Sequence, residues 1–382
     1  MKITRVETFL VPPRWLFLRV ETDDGVVGWG EPVLEGRTET VRTAVHQLAE
    51  LLVGADPLRT EDHWQVLSKG GFYRGGPVLS SAVAGVDQAL WDIAGKVRGA
   101  PVHELLGGPV RDRVRVYGWI AGADPDAIAE RAVAAAEAGL TAVKMLGAPH
   151  TPGAVDTPGQ TRLIVARVAA VREALGDDRD LAVDFHGRFS PAMARRVLAR
   201  LEPYDPLFVE EPVLPEHGQV LPRIVAGTVI PLATGERLFS RAEFLPVLEA
   251  GVTVVQPDLS HAGGISEVRR IASLAEIFGA TLAPHCPLGP IALASSLQVD
   301  FATPNFLIQE QALGIEHDGG REALADFVDC EVFRLVDGHI PRPTAPGLGI
   351  EVDEDAVRRA DREGHRYRIA PWRHPDGSFA EL

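Results

Sequence analysis

Residues 3–11 and 15–21 are apolar-rich runs of strand length, and Asp23-Asp24-Gly25 turns the chain into a third run at 26–29. Runs of this length around such a turn predict an antiparallel hairpin with a further strand. Residues 40–52 and 80–97 then carry apolar side chains three and four positions apart, the spacing of amphipathic helices. Strands first and helices after make an α+β unit.

Near Arg111 the pattern changes to short apolar runs separated by amphipathic stretches. The runs begin near Val114, Thr141, Leu181, Pro206, Ile230, Val252, Ala280 and Asn305, at spacings of 27, 40, 25, 24, 22, 28 and 25 residues. A period near 25 holds one strand, one helix and two loops, and eight such units predict a closed parallel (β/α) barrel. The long second interval is accounted for by an extended Pro/Gly-rich loop at 147–160. Helix punctuation agrees: Asp124-Pro125 and Ser190-Pro191 open helices, Gly139 closes one, and Ser240 with Glu243 reads as a capping box ahead of a helix ending at Gly251. Past Gln311 the units stop, and the remaining residues, with Pro346-Gly347-Leu348-Gly349, are expected to return to the first unit. The predicted organisation is 1–112 as the α+β unit, 113–315 as the barrel and 316–382 as the segment completing the first.

Composition narrows the class. A 382-residue chain exceeds the usual size of a single hydrophobic core. Its 46% hydrophobic and 24% charged content is that of a globular protein. A formal charge of -15 repels phosphate backbones and anionic membranes, so neither nucleic acid nor a lipid surface is an expected partner. Cys286 and Cys330 alone make no disulfide framework. With no apolar signal core at the start and no run long enough to span a bilayer, a cytoplasmic location is expected.

The C-terminal ends of barrel strands build the site in such folds. Here they carry Asp184 and His186 on the third run, Glu210-Glu211 on the fourth, Glu236 on the fifth, Asp258 on the sixth, His285 on the seventh and Glu310 on the eighth. One acidic strand end is commonly a helix cap. Three on adjacent strands converge on a small volume, where their repulsion calls for a cation. Asp184, Glu210 and Glu236 are therefore candidate ligands, and an all-oxygen set selects a hard ion, magnesium or manganese, over zinc. Alternation puts His186 on the face of Asp184, beside the metal. Asp258 on the neighbouring run can hydrogen-bond one nitrogen of His285 and raise the basicity of the other, which makes His285 a candidate general base.

At these residues the chain resembles the enolase superfamily, in particular its mandelate racemase subgroup and, within that, the D-galactonate dehydratases. The segments that carry the resemblance are Pro12-Pro13-Arg14-Trp15, Gly71-Phe72-Tyr73-Arg74-Gly75-Gly76, Asp184-Phe185-His186-Gly187-Arg188, Glu210-Glu211-Pro212, Gly235-Glu236-Arg237, the run from Gln256 to Gly264, and Ala283-Pro284-His285-Cys286-Pro287-Leu288-Gly289-Pro290. The resemblance implies a modified TIM-type barrel under an α+β capping domain built from both chain ends, and a symmetric homo-oligomer. It implies Mg2+ on Asp184, Glu210 and Glu236, with Glu210 chosen over Glu211. His285, tuned by Asp258, matches the general base, His186 the general acid, and Glu310 a residue stabilising the transition state. The implied substrate is a small acid sugar that loses water to give a 2-keto-3-deoxy acid. Racemases of the subgroup often carry Lys-x-Lys at the second strand end; here Lys144 is followed by Met145 and Leu146, which disfavours a two-base racemase. Lys144 then supplies charge beside the metal or is structural. Arg14, Trp15, Tyr73 and Arg74 are candidates for closing over the substrate. Another aldonate or aldarate dehydratase and an epimerase stay open as alternatives, while a non-catalytic binder would have no use for His285 and His186.

Overall fold

The structure, a computed structural model, describes residues 1–150, 155–312 and 324–381. Strands β1 (Ile3–Val11), β2 (Trp15–Thr22) and β3 (Val27–Gly30) form an antiparallel sheet in that order, with Val11 opposite Trp15 at the first turn. Helices α1 (Thr38–Ala49), α2 (Thr60–Lys69) and α3 (Pro77–Arg98) follow. Leu16, Leu18 and Val20 pack with Val41, Val45, Val86, Leu90 and Ile93, so one sheet face is covered by α1 and α3. Trp15 and Phe17 on the other face belong to the main core that runs into the barrel. Burial on both faces explains why β2 reads as a nearly continuous apolar run.

After the short α4 (Val102–Leu105), the chain forms β4 (Arg113–Ile120), α5 (Pro125–Glu137), β5 (Ala142–Leu146), α6 (Pro158–Leu175), β6 (Asp180–Asp184) and α7 (Pro191–Leu201). The units continue with β7 (Phe208–Glu210), α8 (Leu221–Val225), β8 (Leu232–Thr234), α9 (Arg241–Glu249), β9 (Val254–Val255), α10 (Gly264–Ile277), β10 (Thr281–Leu282), α11 (Pro290–Ala302) and β11 (Gln309–Glu310). All eight predicted runs become strands. They pair in parallel from β10 back to β4 and on to β11, and the parallel bridge Leu282↔Phe306 closes the ring. One inward residue per strand fills the barrel floor: Tyr117, Ala142, Ala182, Phe208, Ala233, Val254, Ala283 and Ile308.

Local signals explain the helix starts. Asp124 accepts from Ala127 N–H at 2.9 Å and Ser190 from Met193 N–H at 3.3 Å, each followed by proline in the first turn. Such caps are worth about 1 kcal/mol each. The predicted capping box at α9 forms differently. Glu243 accepts from the N–H of Phe239 at 2.7 Å, and the Ser240 hydroxyl donates to Glu243 at 3.2 Å instead of capping the helix. The loop expected at 147–160 is shorter, because Pro158 already opens α6 with Thr157 as its cap; residues 151–154 of that loop lie outside the described residues.

The C-terminal segment divides its contacts. Strand β12 (His339–Pro341) pairs antiparallel with β4 of the barrel. Helix α12 (Glu354–Glu363) returns to the first sheet, where Asp361 accepts from Leu10 N–H at 2.7 Å and Arg358 meets Glu7 at 3.0 Å. A hairpin of β13 (Trp372–Arg373) and β14 (Phe379–Ala380) ends the chain. The boundary placed at 315/316 falls outside the described residues.

Two buried carboxylates of the N-terminal unit seat it on the barrel. Asp87 accepts from the N–H and hydroxyl of Ser266 at 2.9 and 2.6 Å, at the start of α10. Glu31 accepts from Gly289 N–H at 2.8 Å and Ala292 N–H at 2.9 Å, at the start of α11. Carboxyl oxygens at helix N-termini accept from N–H groups that lack partners within the helix, while burial raises Asp87 to about 7 and Glu31 to about 8. The second contact fixes the loop that follows His285.

Candidate active site

Moving two residues on from the barrel floor keeps the same face of each strand. That step reaches Trp119, Lys144, Asp184, Glu210, Gly235, Gln256, His285 and Glu310. Sequence alternation alone thus gathers six of these into a polar ring above an apolar floor, with His186, Glu236 and Asp258 on the loops just beyond.

On the β5–β7 side, Lys144 is fully buried, 2.7 Å from Glu210 and 3.2 Å from Glu310, and its ammonium lies 4.5 Å from the centre of the Trp119 ring. Burial works against its charge, but Glu210 and Glu310 hold the Lys144 pKa well above its ordinary value. Asp184 Oδ1 accepts from His186 N–H at 2.7 Å. Asp184 Oδ2 and Glu210 Oε1 are buried without a hydrogen-bond partner among the described residues. Burial, and then the neighbouring Glu210, push Asp184 well above the carboxylate range, while burial raises Glu210 to about 7. Two desolvated carboxylate oxygens left unsatisfied fit a cation, whose charge would compensate both.

Asp184, His186 and Glu236 offer ligand atoms all within 4.8 Å of one another. Glu210 is not in that trio; its Oε2 accepts from Lys144 and its Oε1 is left without a partner among the described residues. A second group, Asp258, His261 and His285, is equally compact. Its carboxylate is already committed: Asp258 Oδ1 accepts from Ser260 and His261 N–H at 2.6 and 3.1 Å, and Oδ2 meets His285 Nδ1 at 2.8 Å. The oxygens awaiting a partner are on the Asp184 side.

The β9–β10 side is a continuous chain of contacts. His285 Nε2 faces Glu236 at 3.5 Å, and its Nδ1 is held by Asp258. His261 lies 3.7 Å from Asp258 and 3.5 Å from Glu35, which in turn meets Arg14 at 3.2 Å. Arg14 donates to the carbonyl of Pro287, two residues past His285. Burial opposes charge on His285, but Glu236, Glu310 and the Asp258 hydrogen bond push its pKa well up. The same mutual attraction overcomes burial at Glu236 and lowers it to about 2. Burial lowers His186 to about 4. Without a cation, the proton therefore resides on His285 and His186 is neutral.

The loop ends are clamped. Arg237 meets Glu211 through two contacts of 2.7 and 2.6 Å and donates to the His186 carbonyl at 3.3 Å. His186 sits at φ 55 and Gly187 at φ 65, so the chain turns through the left-handed region straight after β6. This bidentate clamp holds that turn over the site.

Of the residues expected to close over the substrate, Arg14 reaches the His285 loop as described. Trp15 does not face the site: it is 4% exposed, stacked on Phe17 and edge-on to Phe327 in the core. Tyr73 is 88% exposed and meets Phe72, and Arg74 donates to Gly71 within its own loop. Glu310 accepts from Trp119 Nε1 and from Cys286 N–H at 3.0 Å. Sequence reading assigned no part to Trp119, Glu35, His261 or the Glu211–Arg237 clamp. Trp119 was findable, since it follows Tyr117 by two residues on the first strand; Glu35 and His261 are 226 positions apart and gave no local sign.

The family profile described as mandelate racemase / muconate lactonizing enzyme, N-terminal domain, matches residues 8–107, and that described as enolase C-terminal domain-like matches 127–356. The chain is 49% identical over 382 residues to a D-galactonate dehydratase of Pectobacterium atrosepticum and 52% identical over 383 residues to one of Ralstonia nicotianae, covering 100% of each chain in both cases. Among solved structures it matches an enolase of Agrobacterium radiobacter, a candidate galactarate dehydratase with sodium and L-malate bound, at TM-score 0.92 and 34% identity over the full length of both. These matches at both ends and throughout the barrel establish that the chain belongs to the mandelate racemase subgroup of the enolase superfamily.

Proposed function

We propose that the protein is a magnesium-dependent acid-sugar dehydratase that converts D-galactonate to 2-keto-3-deoxy-D-galactonate and water. The observation that carries the chemistry is the Asp258–His285 pair, which leaves Nε2 of His285 facing the carboxylate cluster with its other nitrogen committed. Full-length relatives named D-galactonate dehydratase support the choice of sugar.

Asp184, Glu210 and Glu236 would hold the cation, and an all-oxygen set favours magnesium. As is general in enolase-superfamily sites, which pair a His or Lys base with magnesium, a cation held there would withdraw charge from the substrate carboxylate and so acidify the C2 proton. His285 Nε2 takes that proton as the C2–H bond breaks. His186 gives a proton to the C3 hydroxyl as the C3–O bond breaks, so water leaves and the enol tautomerises to the ketone. Lys144 and Glu310 flank this space and fix the local field.

The resting protonation described above is the reverse of these roles. A cation on Glu236 would weaken the attraction that holds the proton on His285, leaving Nε2 available as the base. Negative charge growing on the substrate favours the imidazolium form of His186, which supplies the acid when it is needed.

The test is incubation with magnesium and a panel of aldonates and aldarates, scored for 2-keto-3-deoxy product. D-Galactonate is expected to be turned over best; no product from any acid would end the dehydratase reading, and product from another acid alone would change the sugar. The reading includes a symmetric homo-oligomer, checked by sedimentation.

A further inference from the structure

Beside His186, three residues from separate stretches of chain come together. The ring of His150 lies 6.3 Å from that of His186 and 4.7 Å from the indole of Trp372. The Arg188 guanidinium lies 4.9 Å from the centre of the same indole. Arg188 also donates to the carbonyl of Pro149 at 2.9 Å, which fixes the residue preceding His150. It follows His186 by two residues and is largely buried. One cation thus ties the His186 turn, the end of the β5 loop and the C-terminal hairpin into a single wall.

The proposed chemistry sets what this wall meets. In the proposed chemistry the substrate carboxylate lies at the cation and the C3 hydroxyl at His186, so the carbons beyond C3 continue from the hydroxyl that His186 meets, and His150 is the ring beside it. Leu146, next to Asp184 across the β5–β6 pair, offers those carbons no hydrogen bond. An imidazole and an aromatic face are suited to a hydroxylated chain, which presents O–H groups at its edges and C–H groups on its faces.

The geometry points to His150 and Trp372 as the determinants of substrate length: they form the subsite for the C4–C6 hydroxyl-bearing end of a six-carbon aldonate, with Arg188 positioning both. This inference rests on the dehydratase reading for the direction in which the substrate lies. His150 hydrogen-bonds a distal hydroxyl, and Trp372 covers the C–H face of the chain. The C-terminal hairpin, remote in sequence from every other site residue, becomes part of the specificity wall.

The experiment compares four-carbon and six-carbon aldonates of matching C2 and C3 configuration. Affinity is read by calorimetry in the magnesium-loaded His285→Asn protein, which isolates binding from turnover, and kcat and KM are read in the active enzyme. Trp372→Ala and His150→Ala are expected to weaken six-carbon binding by about tenfold or more and raise KM accordingly, with kcat changed less. Four-carbon binding should stay within about twofold, Trp372→Phe should restore most of the loss, and Arg188→Lys should behave as the alanine variants do because the planar fork is lost. Equal losses for both lengths, or none for either, would overturn the assignment. Absence of turnover by the unaltered protein would instead count against the dehydratase reading, while the binding comparison still decides the subsite.

Discussion

The two sides of the polar ring are built on opposite terms. On the β5–β7 side, Asp184 and Glu210 are buried with one oxygen each lacking a partner, and burial raises both above the carboxylate range. On the β9–β10 side, every oxygen of Asp258 is engaged, and contacts run from His285 through Asp258, His261 and Glu35 to Arg14 in the N-terminal unit. A carboxylate with both oxygens engaged, as in Asp258, holds its histidine in one orientation; buried carboxylate oxygens left unsatisfied require a ligand to complete them. In the proposed reading, the first side receives a cation and the second aims an imidazole.

The largest effects should come from the incomplete side. Asp184→Asn and Glu210→Gln each remove a charge the cation needs, and turnover and magnesium binding should fall together, turnover by about a thousandfold. Loss of one without the other, by kinetics and calorimetry, would break the distinction between the sides. On the complete side, His285→Asn should lower turnover by about 10²–10⁴-fold while magnesium affinity stays within about threefold. A comparable loss of affinity would make His285 a ligand rather than a base.

Further along the same chain of contacts, His261→Asn and Glu35→Gln should cost about 10–100-fold in kcat, as partners that orient a reacting group do. Magnesium affinity should not move. These variants test whether the N-terminal unit takes part in positioning the base or merely covers it.

The mildest test uses pH. Asp184 and Glu210 are raised by burial, Glu210 to about 7, and His285 is raised by its acidic neighbours against the effect of burial. The protons on the two carboxyls compete directly with a cation, so magnesium affinity should rise between pH 6 and 8, by up to about tenfold per pH unit for each proton displaced. The metal-free protein carries the complementary sign. Carboxyls whose folded pKa is raised stabilise the fold fully below their unfolded value and lose that contribution as pH rises through about 7. Its Tm should therefore fall from pH 5 to 8, and saturating magnesium should flatten the fall.

Much of the barrel was legible because each unit repeats the same problem: an apolar strand, a capped helix and a polar strand end. Asp184, Glu210, His285 and Glu310 were found for that reason, their strands being short and their alternation unbroken. Helix α2 escaped because it buries little more than His63 and Trp64, too narrow a stripe to show a helical period. Trp15, a candidate through the resembling segment Pro12-Pro13-Arg14-Trp15, opens β2 with its ring in the core against Phe17 and Phe327. Glu35, His261 and Trp372 depend on packing between segments hundreds of residues apart. The two-residue strands of the last hairpin carry no pattern at all.

In the proposed reaction one side chain takes the C2 proton and a different one expels the C3 hydroxyl. Following D-galactonate by proton NMR in deuterated buffer with magnesium and the His186→Asn protein separates the two. 2-Keto-3-deoxy product is expected to form at least about a hundredfold more slowly, while the C2 proton continues to exchange for deuterium through His285. Dehydration at the unaltered rate, or exchange and dehydration falling in step, would contradict it.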